Sequence, residues 1–135
     1  MSCTTKVKAS KIVLTDGAGK TKMCFNNPNK RQITKIIVDN CAIKSGIRCD
    51  FMLVDHKSLE HYIELKGKQI IHACNQIEET IKQLTKNVFA VKHSFIVSTA
   101  CPLTTTEVQI LKAQFKKKYN STLTVKNMLC EHCFE

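Results

Sequence analysis

Asp50, followed further along by Glu64-Leu65-Lys66, is the set of side chains whose types and spacing point most directly at chemistry. Alternate residues of a strand share a face. Glu64 and Lys66 therefore point one way, while Ile63 and Leu65 point into the opposite layer. With a turn centred near Lys57, Asp50 lies across a hairpin from Glu64; a register shifted by two residues puts it opposite Lys66. Either pairing lets the three polar groups converge. Two carboxylates side by side in a partly buried sheet repel each other, and without a cation one of them takes up a proton. Magnesium favours carboxylate and water oxygens and bridges to phosphate. Lys66 would then orient or deprotonate an attacking water, or steady negative charge developing in the transition state. The bland alternative is a solvated ion pair, which contributes almost nothing.

The elements that must position these groups can be read from pattern. Residues 1–9 are polar and basic and read as a loose start. Residues 11–14 and 22–25 form a hairpin around the turn signal Asp16-Gly17-Ala18-Gly19. Residues 33–43, 48–54 and 62–66 are strand candidates in close order, an antiparallel meander. Over 69–86 the period changes: Ile70, Cys74, Ile77, Ile81 and Leu84 recur at helical spacing. Residues 88–98 form another strand. Residues 104–106 offer an N-cap with Glu107 in the first turn, and Val108, Leu111 and Phe115 stripe a second helix. Residues 123–125 make a last strand. The order predicts one α/β domain over 1–135, a mixed sheet with helices packed on it.

The runs Cys49-Asp50-Phe51-Met52-Leu53-Val54 and Tyr62-Ile63-Glu64-Leu65-Lys66-Gly67 resemble the core of the PD-(D/E)XK nuclease superfamily. An acid opens one apolar strand, and the next apolar strand carries Glu-x-Lys. The resemblance spans residues 33–100, about half of the chain. It implies a restriction-endonuclease-like fold: an antiparallel meander, a crossover helix and a further strand, with helices flanking the sheet. It also implies a metal-dependent endonuclease that hydrolyses phosphodiester bonds in DNA, sometimes RNA, with Mg2+ or Mn2+. Asp50 and Glu64 would be the metal ligands and Lys66 the partner of the water. Cys49 stands where the superfamily name has Pro. Many members carry another acid on an early helix, whereas this chain has no Glu before Glu60 and no clear early helix. Asp39 is the candidate for that acid, or else a turn residue before Asn40. Some branches place a Gln on the following helix, where Gln76 sits; it would hold a water or phosphate oxygen, or else be an exposed helical Gln. Archaeal Holliday-junction resolvases are similar in size, charge and motif.

The 21 Lys+Arg against 11 Asp+Glu give a formal charge of +10, which favours polyanions such as nucleic acid or acidic lipid headgroups. Lys112, Lys116, Lys117 and Lys118 could track a phosphate backbone, or could simply complement the dipole at a helix end. The aromatic content of 6%, with no Trp, argues against a base-stacking platform for single strands. The eight cysteines do not look like a secreted disulfide framework and read as free thiols in a reducing cytosol. No signal core opens the chain, and no apolar stretch approaches the ~20 residues of a membrane span. Cys130-Glu131-His132-Cys133 resembles half a zinc site, with Cys3 or Cys101 as partners in space, or else a pair of free thiols. The run from Asp16 to Thr21 lacks the spacing of a phosphate loop. The expectation is a small cytoplasmic, magnesium-dependent DNA endonuclease, of a size that often works as a homodimer because one short basic domain grips little duplex. Its rival is a non-catalytic nucleic-acid- or protein-binding module that keeps the fold.

Overall fold

Alternation decides the first elements of the computed structural model, which describes residues 2–65, 69–100 and 103–134. In β2 (Lys11–Thr15), Ile12 and Leu14 are buried while their neighbours face out. Strand β3 (Lys22–Asn26) returns antiparallel to it, as the turn signal implies. The Asp16 carboxylate stitches that turn by accepting from the N–H groups of Ala18 and Thr21 and from the Thr21 hydroxyl.

The opening segment corrects the expectation of a loose start. Thr4–Val7 form β1, an edge strand antiparallel to β4 (Ile33–Ile37). Its side chains are mostly exposed, so no apolar pattern announces it; the ladder to β4 holds it. A Cys3–Cys41 disulfide anchors the same edge. This corrects the reading of all cysteines as free thiols, and the cysteine pattern no longer speaks for a reducing cytosol. Cys41→Ser is expected to cost about 2 kcal/mol in chemical denaturation, the low end for such a crosslink because an edge strand can fray locally.

The main sheet runs β1-β4-β5-β6-β7-β8, with β5 (Phe51–Val54), β6 (Glu60–Leu65), β7 (Lys92–Ser98) and β8 (Ser121–Asn127). It is antiparallel from β1 to β6 and parallel from β6 to β8. Helix α1 (Ile70–Leu84) crosses from β6 to β7, and α2 (Thr105–Tyr119) from β7 to β8. The meander, the crossover helix and the mixed α/β sheet were all legible. Flanking by helices alone was not: both helices share one face, and the other is covered by a three-stranded sheet, β2-β3-β9, whose last strand is β9 (Leu129–Cys133). Strand β9 pairs parallel to β3.

Two cores result. Met52, Tyr62, Ile77, Ile81, Ile96 and Phe115 fill the helix side. Phe25, Ile33, Leu53, Ile63, Phe95 and Val97 fill the side under the small sheet. Helix α2 starts with a full capping box between Thr104 and Glu107. Thr104→Ala should therefore cost about 1 kcal/mol, read from a denaturant midpoint at unchanged slope.

Three strands are shorter than pattern alone implies. Strand β4 stops at Ile37 because Asn40 turns the chain at φ 56°. Strand β5 begins at Phe51 because α1 captures the residues before it: Thr80 Oγ1 accepts from the Cys49 N–H, and the Gln76 amide donates to the Arg48 carbonyl. Strand β7 begins at Lys92, whose buried ammonium donates to the carbonyls of Asn87, Val88, Ala90 and Tyr119 and so curls residues 87–90 into a loop.

Candidate metal centre

Register builds the site. Phe51 pairs with Ile63 in the β5–β6 hairpin, so Asp50 lies directly across from Glu64. Two bonds fix that crossing. The Asp50 N–H donates to the Ile63 carbonyl at 3.1 Å, and the Leu65 N–H donates to Asp50 Oδ2 at 2.8 Å. Alternation turns Ile63 and Leu65 into the layer under the small sheet and leaves Glu64 on the helix side, as the spacing implies.

Asp39 joins the pair from the turn after β4. The N–H groups of Val38 and Asp39 both donate to the Asp50 carbonyl, at 3.0 and 3.2 Å. Arg48 holds the Asp39 carboxylate at 2.8 Å. From above, Gln76 on α1 reaches the same corner through its 3.0 Å bond to the Arg48 carbonyl. A cleft of about 350 Å³ opens here, lined by Asp16, Asp39, Asp50, Phe51 and Leu65. Asp39 also walls a second depression of about 280 Å³, shared with Arg48, His72 and Gln76.

The electrostatics are those of crowded acids. Burial first, then the charges of Asp50 and Asp39, push Glu64 up to about 9 from its ordinary 4.5. The Gln76 amide tempers that rise. Burial likewise raises Asp50, against the Leu65 N–H bond that favours its charged form; Asp39 adds repulsion. Glu64 is 6% exposed, and its Oε1 is buried with no hydrogen-bond partner among the described residues. An orphaned carboxylate oxygen beside a second carboxyl has the chemistry of a hard-cation ligand.

A scan against protein-family models, a search of curated proteins and a search of solved structures each found no match.

The structure brings together Asp39, Asp50, Glu64 and Gln76, the members of the expected set that it describes. Lys66 lies outside the described residues. The lysine cluster sits elsewhere. Lys116, Lys117 and Lys118 occupy the last turn of α2, where they complement its dipole. Lys92 pairs with both Glu60 and Ser121, so the end of α2 lies at the far end of the strands from Glu64, about 13 Å along β6. Lys112 lies one turn earlier on the same helix. A cation nearer the cleft is Lys35, whose Nζ sits 5.6 Å from the ring centre of Phe51, a residue of the cleft wall.

Two features escape a reading by spacing. Asp16 reaches the cleft as well as stitching its turn; the Asp-Gly signal marks a turn and says nothing about what the hairpin leans over. The hydroxyl of Thr21 and nearby N–H groups hold Asp16 below the usual carboxylate range, so it stays charged. Of the half zinc motif, Cys130 is buried in the second core and Cys133 is exposed, both as free thiols. Of its other suggested partners, Cys3 is in the disulfide, and Cys101 lies outside the described residues. Only His132 of that run joins a cluster, with His61 and His93. Among the described residues no helix is long and apolar enough to cross a membrane.

Proposed function

We propose that this chain is a metal-dependent nuclease of the PD-(D/E)XK type, hydrolysing phosphodiester bonds of DNA. One observation carries the reading: the buried Glu64 Oε1 without a partner, set across a hairpin from Asp50 with Asp39 beside them. A sheet that only needed stability would not retain that arrangement, because an unsatisfied buried carboxyl costs free energy and a cation resolves it.

Asp50 and Glu64 are the ligands for Mg2+ or Mn2+, and Asp39 reinforces the negative field. A divalent ion, if held by these two carboxylates, would supply Lewis acidity to a water and to a substrate's phosphoryl oxygen. The chain's own groups do the rest. The Leu65 N–H and Ile63 carbonyl fix Asp50 so that the acids need no reorganisation. Gln76 presents an amide from α1 to the same corner, suited to a water or a phosphate oxygen. Lys66, next but one to Glu64, is assigned by the Glu-x-Lys spacing to orient the attacking water or steady the developing charge. The chain's charge of +10 draws in a polyanion.

The test is cleavage of plasmid DNA, branched DNA and RNA in Mg2+ and Mn2+ by wild type, Asp50→Ala, Glu64→Ala and Lys66→Ala. Metal-dependent cleavage by wild type alone is the expected result. Cleavage persisting in all three variants overturns the assignment. Binding without cleavage in either metal replaces it with a non-catalytic module that keeps the fold.

A further inference from the structure

Three histidines on the opposite face of the main sheet form a second constellation that the nuclease reading does not use. His61 and His93 are direct neighbours in the parallel β6–β7 pairing. His132 reaches them from β9 of the small sheet. The ring centres are 5.1 Å apart for His61–His93, 5.4 Å for His61–His132 and 5.0 Å for His93–His132. One ring nitrogen from each lies within 4.8 Å of the other two.

Two further observations point to a ligand. His61 is 1% exposed, and its Nδ1 is buried without a hydrogen-bond partner. Its Nε2 donates to Asp55 Oδ2 at 3.0 Å. That bond puts the proton on Nε2 and leaves the Nδ1 lone pair free, the carboxylate–histidine pairing that orients imidazoles towards metals. The site is also reachable. A cleft of about 160 Å³, lined by Asp55, His61, His93, His132 and Cys133 among others, opens onto it.

We propose that His61, His93 and His132 bind one borderline transition ion, Zn2+ in the first instance, with the fourth position facing this cleft. Neutral imidazoles suit zinc and its neighbours, whereas magnesium requires oxygen ligands. Tetrahedral Zn–N bonds set the nitrogens about 3.3 Å apart, so side-chain rotation must draw the rings together slightly. Because two ligands belong to the main sheet and one to the small sheet, the ion clips the two layers together. Binding therefore stabilises the fold by mass action.

The experiment titrates the untagged chain, stripped of transition metal, with Zn2+ and with Co2+ in a large excess of Mg2+, which keeps the acidic corner occupied. Variants are His93→Gln and His132→Gln, both at half-buried positions, and the double variant Asp50→Asn/Glu64→Gln. Wild type should bind one Zn2+ per chain, give a tetrahedral Co2+ absorption spectrum, and gain about 10 °C in unfolding temperature at a hundredfold excess over Kd. Each histidine variant should lose at least tenfold in Zn2+ affinity and lose the tetrahedral spectrum, with the metal-free circular dichroism unchanged. The acidic-site double variant should bind Zn2+ as wild type does. Absence of stoichiometric binding overturns the proposal, as does binding that survives in both histidine variants. Binding lost only in the acidic-site variant places the ion among the carboxylates and equally overturns it. A histidine variant that no longer folds is replaced by Asp55→Asn, which should weaken Zn2+ binding while leaving all three imidazoles in place.

Discussion

Glu64→Gln should cut metal-dependent cleavage by about 10³-fold and at the same time make the metal-free chain more stable in alkaline solution. The two effects share one cause. Folded Glu64 titrates at about 9 against an ordinary 4.5, because burial and the charges of Asp50 and Asp39 disfavour its ionised form. Between those values the folded chain keeps a proton that the unfolded chain gives up. Stability from this group is therefore full below pH 4.5 and falls as pH rises towards 9, by about 1.4 kcal/mol per unit. Gln keeps the shape and cannot ionise, so the variant lacks that slope. The gain has a ceiling of about 5 kcal/mol at pH 8. Saturating Mg2+ should flatten the wild-type slope in the same way, because a cation compensates the ionised pair. Urea titrations of both chains from pH 5 to 9, with and without Mg2+, read all of this. Parallel curves for wild type and Glu64→Gln would contradict it.

Phe25→Ala is expected to cost about 3–5 kcal/mol, a large part of what a domain of this size has. Phe25 is fully buried at the centre of the second core. Its ring meets those of His61, Phe95, His132 and Phe134, joining the main sheet to β9 and the C-terminal residues. Truncation should loosen the small sheet first, so amide exchange should accelerate far more in β3 and β9 than in β6. Glu64 lies on the helix side, on the face opposite Ile63 and Leu65, so its titration should be unchanged. A cost below 1 kcal/mol, or uniform acceleration of exchange, would show that the small sheet is not docked through this ring.

Most of what positions the acids was legible because it depends on local periods. Alternation and a turn near Lys57 left two registers for the β5–β6 hairpin, and the structure holds the one that sets Asp50 opposite Glu64. Helix α1 followed from its apolar stripe, and the start of α2 from the capping residues Thr104 and Glu107. What escaped depends on contacts distant in sequence. Strand β1 has polar side chains and exists through its ladder to β4 and a disulfide to Cys41. Strand β9 forms only because β3 offers it an edge. The histidine cluster needs three separate strands to meet, and its one local signal was an inward-facing histidine early in each of β6 and β7. The depth of Glu64 burial also escaped, since nothing local says that α1 and the Asp39 turn close over it.

The most direct measurement is Mn2+ binding to the metal-free chain at pH 8, followed by electron paramagnetic resonance of the free ion. Wild type and His93→Gln should each take up Mn2+ at the acidic corner with release of a proton, whereas Asp50→Asn and Glu64→Gln should leave that Mn2+ in solution. Equal uptake by all four chains, or none by wild type, would mean that these carboxyls do not hold a hard cation.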